Sequence, residues 1–207
     1  LSPSLTRKIN FPYLLLLISG GHSQFLIVND VNKFIQLGTT IDDALGEAFD
    51  KTSKMLGFGY PGGPQIERLA KKGNPMRFKL PQPIINKAGC NLSFAGLKTA
   101  VLRETKKIKT TQEKYDLAAS FQETINKILE KKTKIAIKEF KEKTKKKFGV
   151  FVIAGGVAAN LSIRKNLMEI AKSSNLNPIF PSLEYCGDNA AMIAWAGIKR
   201  FRKKLFL

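Results

Sequence analysis

The chain has 207 residues, 43% of them hydrophobic, which suffices for one large domain or two small lobes around a real core. Its formal charge of +19 suits a polyanion such as RNA. Of the 35 cations, however, 28 are Lys and 7 are Arg, and bidentate phosphate recognition favours Arg, so a biased genome composition accounts for the charge equally well. No run reaches the ~18 uncharged apolar residues of a membrane span, and two cysteines, Cys90 and Cys186, are too few for a disulfide framework and fit a reducing cytosol.

Residues 1–10 are polar and without periodicity, and a buried strand follows with no earlier element to pair with. Open sheets usually need several strands, so the fold is expected to begin in its middle. Strands are predicted over 13–18 and 24–29, joined by the turn Ser19-Gly20-Gly21-His22, with a third over 34–37. Ala44, Leu45, Ala48, Phe49, Thr52, Met55 and Leu56 recur at helical spacing. They predict a helix over 42–56, capped by Thr40 or Asp42 and ended by Gly57. Tyr60-Pro61-Gly62-Gly63-Pro64 is a turn, followed by a short helix to 72. Residues 74–89 read as a connector or a hairpin. A helix follows 91–94, and a long helical pattern runs over 114–147 through Leu117, Phe121, Ile125, Ile128, Leu129, Ile135 and Phe140. Its Lys-rich part, 131–147, reads as a solvated face. A buried strand over 150–154 enters Gly155-Gly156-Val157 and then a helix capped by Asn160. A short strand over 177–180, a loop, and a helix over 189–201 opened by Asp188 complete the chain.

Two features share one physical logic. Each is a buried strand running into Gly-Gly, at Gly20-Gly21 and at Gly155-Gly156. Glycine lets an anion approach backbone N–H groups closely; either turn alone is better explained as a tight structural turn, but two together suggest a nucleotide cleft between two lobes. Asp43, Glu47 and Asp50, at i, i+4 and i+7, place three acids on one helical face. That face suits Mg²⁺ or ribose hydroxyls, or else pairs with lysines in solvent. Gly46 in mid-helix costs about 1 kcal/mol relative to Ala, which points to the close approach of a neighbour. Asp188 reads as a helix cap or a metal ligand. His22 is the only histidine and adjoins the first Gly-Gly turn, but one histidine makes no His-rich metal site. Cys186 has no second histidine to activate it and reads as a small buried residue. No general base is evident.

Six blocks then assemble in order. They are 17–24 (LISGGHSQ), 42–51 (DDALGEAFDK), 60–64 (YPGGP), 91–99 (NLSFAGLKT), 154–160 (AGGVAAN) and 186–192 (CGDNAAM). Together they resemble the tRNA adenosine threonylcarbamoyltransferase family, formerly called O-sialoglycoprotein endopeptidase or glycoprotease, over about residues 12–200. The resemblance implies an α/β, actin/Hsp70-like ATPase fold with two lobes around a nucleotide cleft. Residues 1–41 would then be a remnant of the N-terminal lobe, and 42–207 the remainder of the fold, C-terminal lobe included. It also implies transfer of a threonylcarbamoyl group from threonylcarbamoyl-AMP to the adenosine beside the anticodon of tRNA, in the cytoplasm. The implied partner proteins are a catalytically silent paralogue and an ATPase.

By the same resemblance Leu17, Ile18, Ser19, Gly20 and Gly21 line the adenylate site, Asp50 binds the sugar, Gly63 approaches it by backbone, and Asn160 contacts the adenylate. Asp188 matches the family's carboxylate ligand to one divalent metal, iron or alternatively zinc. The family's other ligands are two histidines on an upstream helix, and this chain has no histidine before His22. A non-catalytic adenylate-binding or scaffold fragment is therefore the rival expectation. A metalloprotease, as the older name suggests, lacks any His-Glu-x-x-His element here.

Overall fold

The computed structural model describes residues 9–187 and 189–205. Its centre is a five-stranded sheet in the order β3-β2-β1-β4-β5. β1 (Tyr13–Ile18), β2 (Ser23–Asp30) and β3 (Lys33–Thr39) form an antiparallel meander, and β4 (Gly149–Ala154) and β5 (Leu176–Ile179) run parallel to β1. Strands from both sides of residue 41 thus share one sheet.

The unbroken apolar run of β1 follows from its central place. Leu14, Leu16 and Ile18 enter the main core, while Leu15, Leu17 and Tyr13 pack into a smaller cluster on the other face, as the period of two in a strand requires. β4 divides the same way, with Phe151 and Ile153 on one face and Val152 and Ala154 on the other.

The helices are α1 (Leu45–Leu56), α2 (Gly62–Ala70), α3 (Ala95–Thr105), α4 (Thr111–Thr144), α5 (Leu161–Ser173) and α6 (Ala190–Arg202). The 34-residue α4 carries its buried stripe through Leu117, Phe121, Ile125, Ile128, Ala136 and Phe140. Phe121 meets Phe49 of α1 edge to face, with ring centroids 5.2 Å apart. The segment 74–89 is a connector without strands. No helix among the described residues is long and apolar enough to cross a membrane.

Three local expectations are corrected. Helix α1 begins at Leu45, and neither Thr40 nor Asp42 caps it. Instead Asp42 accepts hydrogen bonds from Ser93 Oγ and from the backbone N–H groups of Phe94 (2.8 Å) and Ala95 (3.3 Å), so it serves the start of α3. Second, Lys132 does not belong to a solvated face. The spacing Ile128-Lys132-Ala136 sets it in the buried stripe, where its ammonium donates to the carbonyls of Lys87 (2.8 Å) and Gly89 (3.1 Å). Third, α6 is capped by Asn189, whose Oδ1 accepts from Met192 N at 2.9 Å. Asp188 lies outside the described residues.

Candidate functional site

The parallel pairing of β1 with β4 sets Leu17 beside Ala154, so both strands reach their Gly-Gly turns at the same sheet edge. The contact is intimate. Gly155 has φ +98°, and a Cβ there would lie 2.3 Å from the carbonyl oxygen of Ile18. Only glycine meets both demands. Gly20, Gly21 and Gly156 differ: none has positive φ, and no atom lies within 4 Å of where their Cβ would stand. Their missing side chains leave open space.

That space is part of a cleft of about 350 Å³. The two turns contribute Gly20 and Gly156; α1 contributes Gly46, Phe49 and Asp50; the 60–64 turn and α2 contribute Tyr60, Pro61, Gly63, Pro64 and Glu67; Val157, Ala159 and Asn160 close the far wall. Gly46 sits where it does because α1 crosses the first turn. A Cβ on it would lie 2.7 Å from Ser19 O, and its N–H donates to that oxygen at 3.0 Å. The neighbour foreseen for this mid-helix glycine is therefore backbone.

Four hydrogen bonds brace the walls. Asp50 Oδ1 accepts from Gly62 N (2.7 Å), fixing α2 to α1. Glu67 Oε1 accepts from Leu161 N (3.0 Å), joining α2 to the first turn of α5. Asn160 accepts from Ile163 N (2.9 Å) as the α5 cap and donates to Gln122 Oε1 (2.8 Å). Helix α5 starts one four-residue 3-10 turn, Gly156–Ala159, after Gly155 rather than directly.

Of the residues singled out from sequence, Gly20, Asp50, Gly63 and Asn160 therefore meet on one cleft. Leu17 packs into the smaller cluster, and Ile18 is fully buried in the main core. The Ser19 hydroxyl accepts from His22 N (3.0 Å) inside its own turn, and Gly21 is off the lining. His22 is exposed. The three-acid face does not form. Asp43 precedes the helix and pairs with Lys98, Glu47 pairs with Lys51, and Asp50 alone faces the cleft. Phe49 and Glu67 were missed, although Glu67 stands four residues after Gly63 and hence on the same face of α2. Cys186 is buried, with Arg164 Nη2 3.2 Å from its sulfur.

No group of three or more His, Cys, Asp or Glu among the described residues is placed to hold a metal ion. The described part therefore does not by itself fit the divalent metal that the resemblance implies.

Parallel strand ends that open through glycine turns into a cleft define an α/β protein of the class that binds ligands at the carboxyl edge of its sheet. The family model described as tRNA N6-adenosine threonylcarbamoyltransferase matches residues 1–195. The chain belongs to that family, whose fold is the actin/Hsp70-like ATPase fold. It is 61% identical over 206 residues to the protein of that name from Pelagibacter ubique (strain HTCC1062), an alignment covering 100% of this chain and 58% of that protein. It is 52% identical over 200 residues to the one from Wolbachia pipientis wMel, covering 96% of this chain and 58% of the relative. Identity to the one from Rickettsia rickettsii (strain Sheila Smith) is 50% over 212 residues, covering 100% and 61%. The chain thus spans somewhat over half the length of these relatives.

Proposed function

We propose that this chain supplies the adenylate cleft of a tRNA N6-adenosine threonylcarbamoyltransferase. The observation that carries the reading is the meeting of Gly20, Gly156, Asp50, Gly63 and Asn160 on one cleft in a chain of this family. Phe49, Pro61 and Val157 offer apolar surface for a base, and Asp50 keeps a second carboxylate oxygen for a ribose hydroxyl. Open backbone at Gly20 and Gly156 admits the phosphate.

In the proposed reaction the exocyclic amine of a tRNA adenosine attacks the carbamoyl carbon of threonylcarbamoyl-AMP. The C–N bond forms, the C–O bond to phosphate breaks, AMP leaves with the electron pair, and the amine loses its proton. The contribution of this chain is to hold and orient the adenylate. A divalent metal, iron or zinc, would need ligands beyond the described residues, Asp188 among them, and would supply Lewis-acid polarisation. We assign tRNA as a partner, together with a silent paralogue and an ATPase.

A second reading is an adenylate-binding part without transfer. The single histidine, His22, favours it because that residue is exposed at a turn and outside the cleft lining. The test has two arms. Calorimetric titration of AMP into the chain should show binding that weakens in Asp50→Ala; a folded chain that binds no AMP would overturn the cleft assignment. Transfer of labelled threonylcarbamoyl to tRNA by the full-length protein with its partners should be lost in the same variant. AMP binding without any transfer would favour the second reading.

A further inference from the structure

One end of the sheet concentrates positive charge. β1, β4 and β5 run parallel, so Tyr13, Gly149 and Leu176 share the edge opposite the two Gly-Gly turns. Helices α4 and α5 lead into β4 and β5, and both therefore end at this edge. The turn between β2 and β3 lies there too, and Lys203, just past α6, reaches it to pair with Asp30. Lys145, Lys146 and Lys147 follow α4, and Lys172 is in the last turn of α5; all four are exposed.

Two bland explanations fall short. Cations suit helix C-termini, where the dipole leaves about half a negative charge, but three lysines follow α4 alone. Surface lysines are often matched along a helix, and on α4 Lys127 pairs with Glu123, Lys134 with Glu130 and Lys138 with Glu142. The matching then stops. The sequence has no acid from Lys143 to Met168, and Lys145, Lys146, Lys147 and Lys172 make no ion pair among the described residues.

Phe148, directly after the three lysines, is 70% exposed, whereas Phe140 and Phe151 on either side are fully buried. Unmatched cations beside an exposed ring suit a nucleic acid, whose phosphates meet the first and whose base faces meet the second. The place is remote from the cleft. Gln122, bonded to Asn160 of the cleft wall, and Lys143 both lie on α4, roughly 30 Å apart at about 1.5 Å per residue.

We propose that this end of the sheet is a second contact surface for RNA, holding the backbone of a tRNA whose reacting adenosine is presented at the cleft. The proposal rests on the tRNA reading above and adds the surface that grips the rest of the molecule. An adenosine beside the anticodon lies at the tip of a stem, so most of the tRNA runs beyond the cleft. The four lysines neutralise phosphates, and Phe148 stacks on an unpaired base. Phosphate contacts of this kind position the RNA without reading its sequence.

The test is fluorescence-anisotropy titration of a labelled, unmodified tRNA transcript with the chain over a series of salt concentrations. Lys146→Gln/Lys147→Gln/Lys172→Gln should lower the slope of log affinity against log salt by about two and weaken binding at least ~tenfold at low salt. Phe148→Ala should weaken binding roughly tenfold with the slope unchanged. Lys127→Gln/Lys134→Gln/Lys138→Gln removes the same charge from matched positions and should change the slope by less than about one. Thermal melts check that all four proteins are folded, and AMP titration should give the same affinity for each. A triple variant at Lys146, Lys147 and Lys172 with the unsubstituted chain's slope, or with that of the matched control, would overturn the proposal. Loss of binding to phosphatidylserine vesicles with tRNA binding intact would also overturn it, making the surface a membrane contact. A chain that binds AMP but not tRNA would overturn it and leave the adenylate cleft standing. A chain that binds tRNA with the expected slopes but no AMP would do the reverse.

Discussion

Gly155 lies so close to Ile18 that a Cβ on it would come within 2.3 Å of the Ile18 carbonyl oxygen. The two Gly-Gly turns meet backbone against backbone here, at the end of the β1–β4 ladder. Gly155→Ala therefore meets both a clash and a φ of +98°, and should cost about 3 kcal/mol of stability, read from urea denaturation. The soluble fraction should also lose adenosine binding, because separating the turns opens the cleft.

Gly46→Ala separates packing from propensity. Alanine gains about 1 kcal/mol in a helix interior, but its Cβ would press on Ser19 O and on the backbone of Gly20 at 2.7–2.8 Å. We expect little net change in the melting temperature and a marked fall in nucleotide affinity by calorimetry. Unchanged affinity would mean that the first turn is free to shift.

Asp42 should behave as a structural carboxylate. It accepts from Ser93 Oγ and from two N–H groups at the start of α3. Asp42→Ala leaves those donors without their acceptor and should destabilise the chain by about 2 kcal/mol, with Asp42→Asn recovering part of the loss. Denaturant midpoints of the three proteins check this.

Glu113 links stability to acid pH. It completes the capping box of α4 with Thr110, and hydrogen bonds from the backbone N–H groups of Lys109 and Thr110 hold its carboxyl below the usual range. A carboxyl lowered in the folded state stabilises above its unfolded value of 4.5, and that contribution is lost as pH falls through the folded value. Glu113→Gln should therefore flatten the acid limb of a stability–pH curve below about pH 4.5. Thr110→Ala should cost ~1 kcal/mol at neutral pH.

Cys90 links stability to alkaline pH. Burial, then the neighbouring Glu139 carboxylate, push its thiol from 9.0 up to about 12. The contribution is complete below pH 9.0 and is lost as pH climbs toward 12, because the unfolded chain releases its proton first. Iodoacetamide at pH 8 should accordingly label Cys90 at least ~100-fold more slowly in the native chain than in urea, read by mass spectrometry. Rapid native labelling would contradict the buried placement.

Much of the fold was legible along the chain because it is written in local periodicity. The two-sided apolar run of β1, the stripe of α4, the Gly57 stop and the Asn160 cap all rest on spacings of a few residues. Lys132 was legible too, since it falls four residues after Ile128 and four before Ala136, but its charge outweighed its position. Glu67, four residues beyond Gly63, carried the same unread helical signal. The acidic face failed for a local reason: α1 starts at Leu45, so Asp43 never joins the helical spacing.

From sequence alone came the elements, the two strand-to-glycine turns and the six blocks that mark the family. Three things were decided only in the tertiary structure: that β1 and β4 are neighbours, that Asp42 serves a helix more than fifty residues away, and that Glu67 reaches the start of α5. The reason is physical. Periodicity and turn chemistry act over a few residues, whereas which N–H a carboxylate satisfies, and which turns share a cleft, depends on segments brought together by burial of a common core.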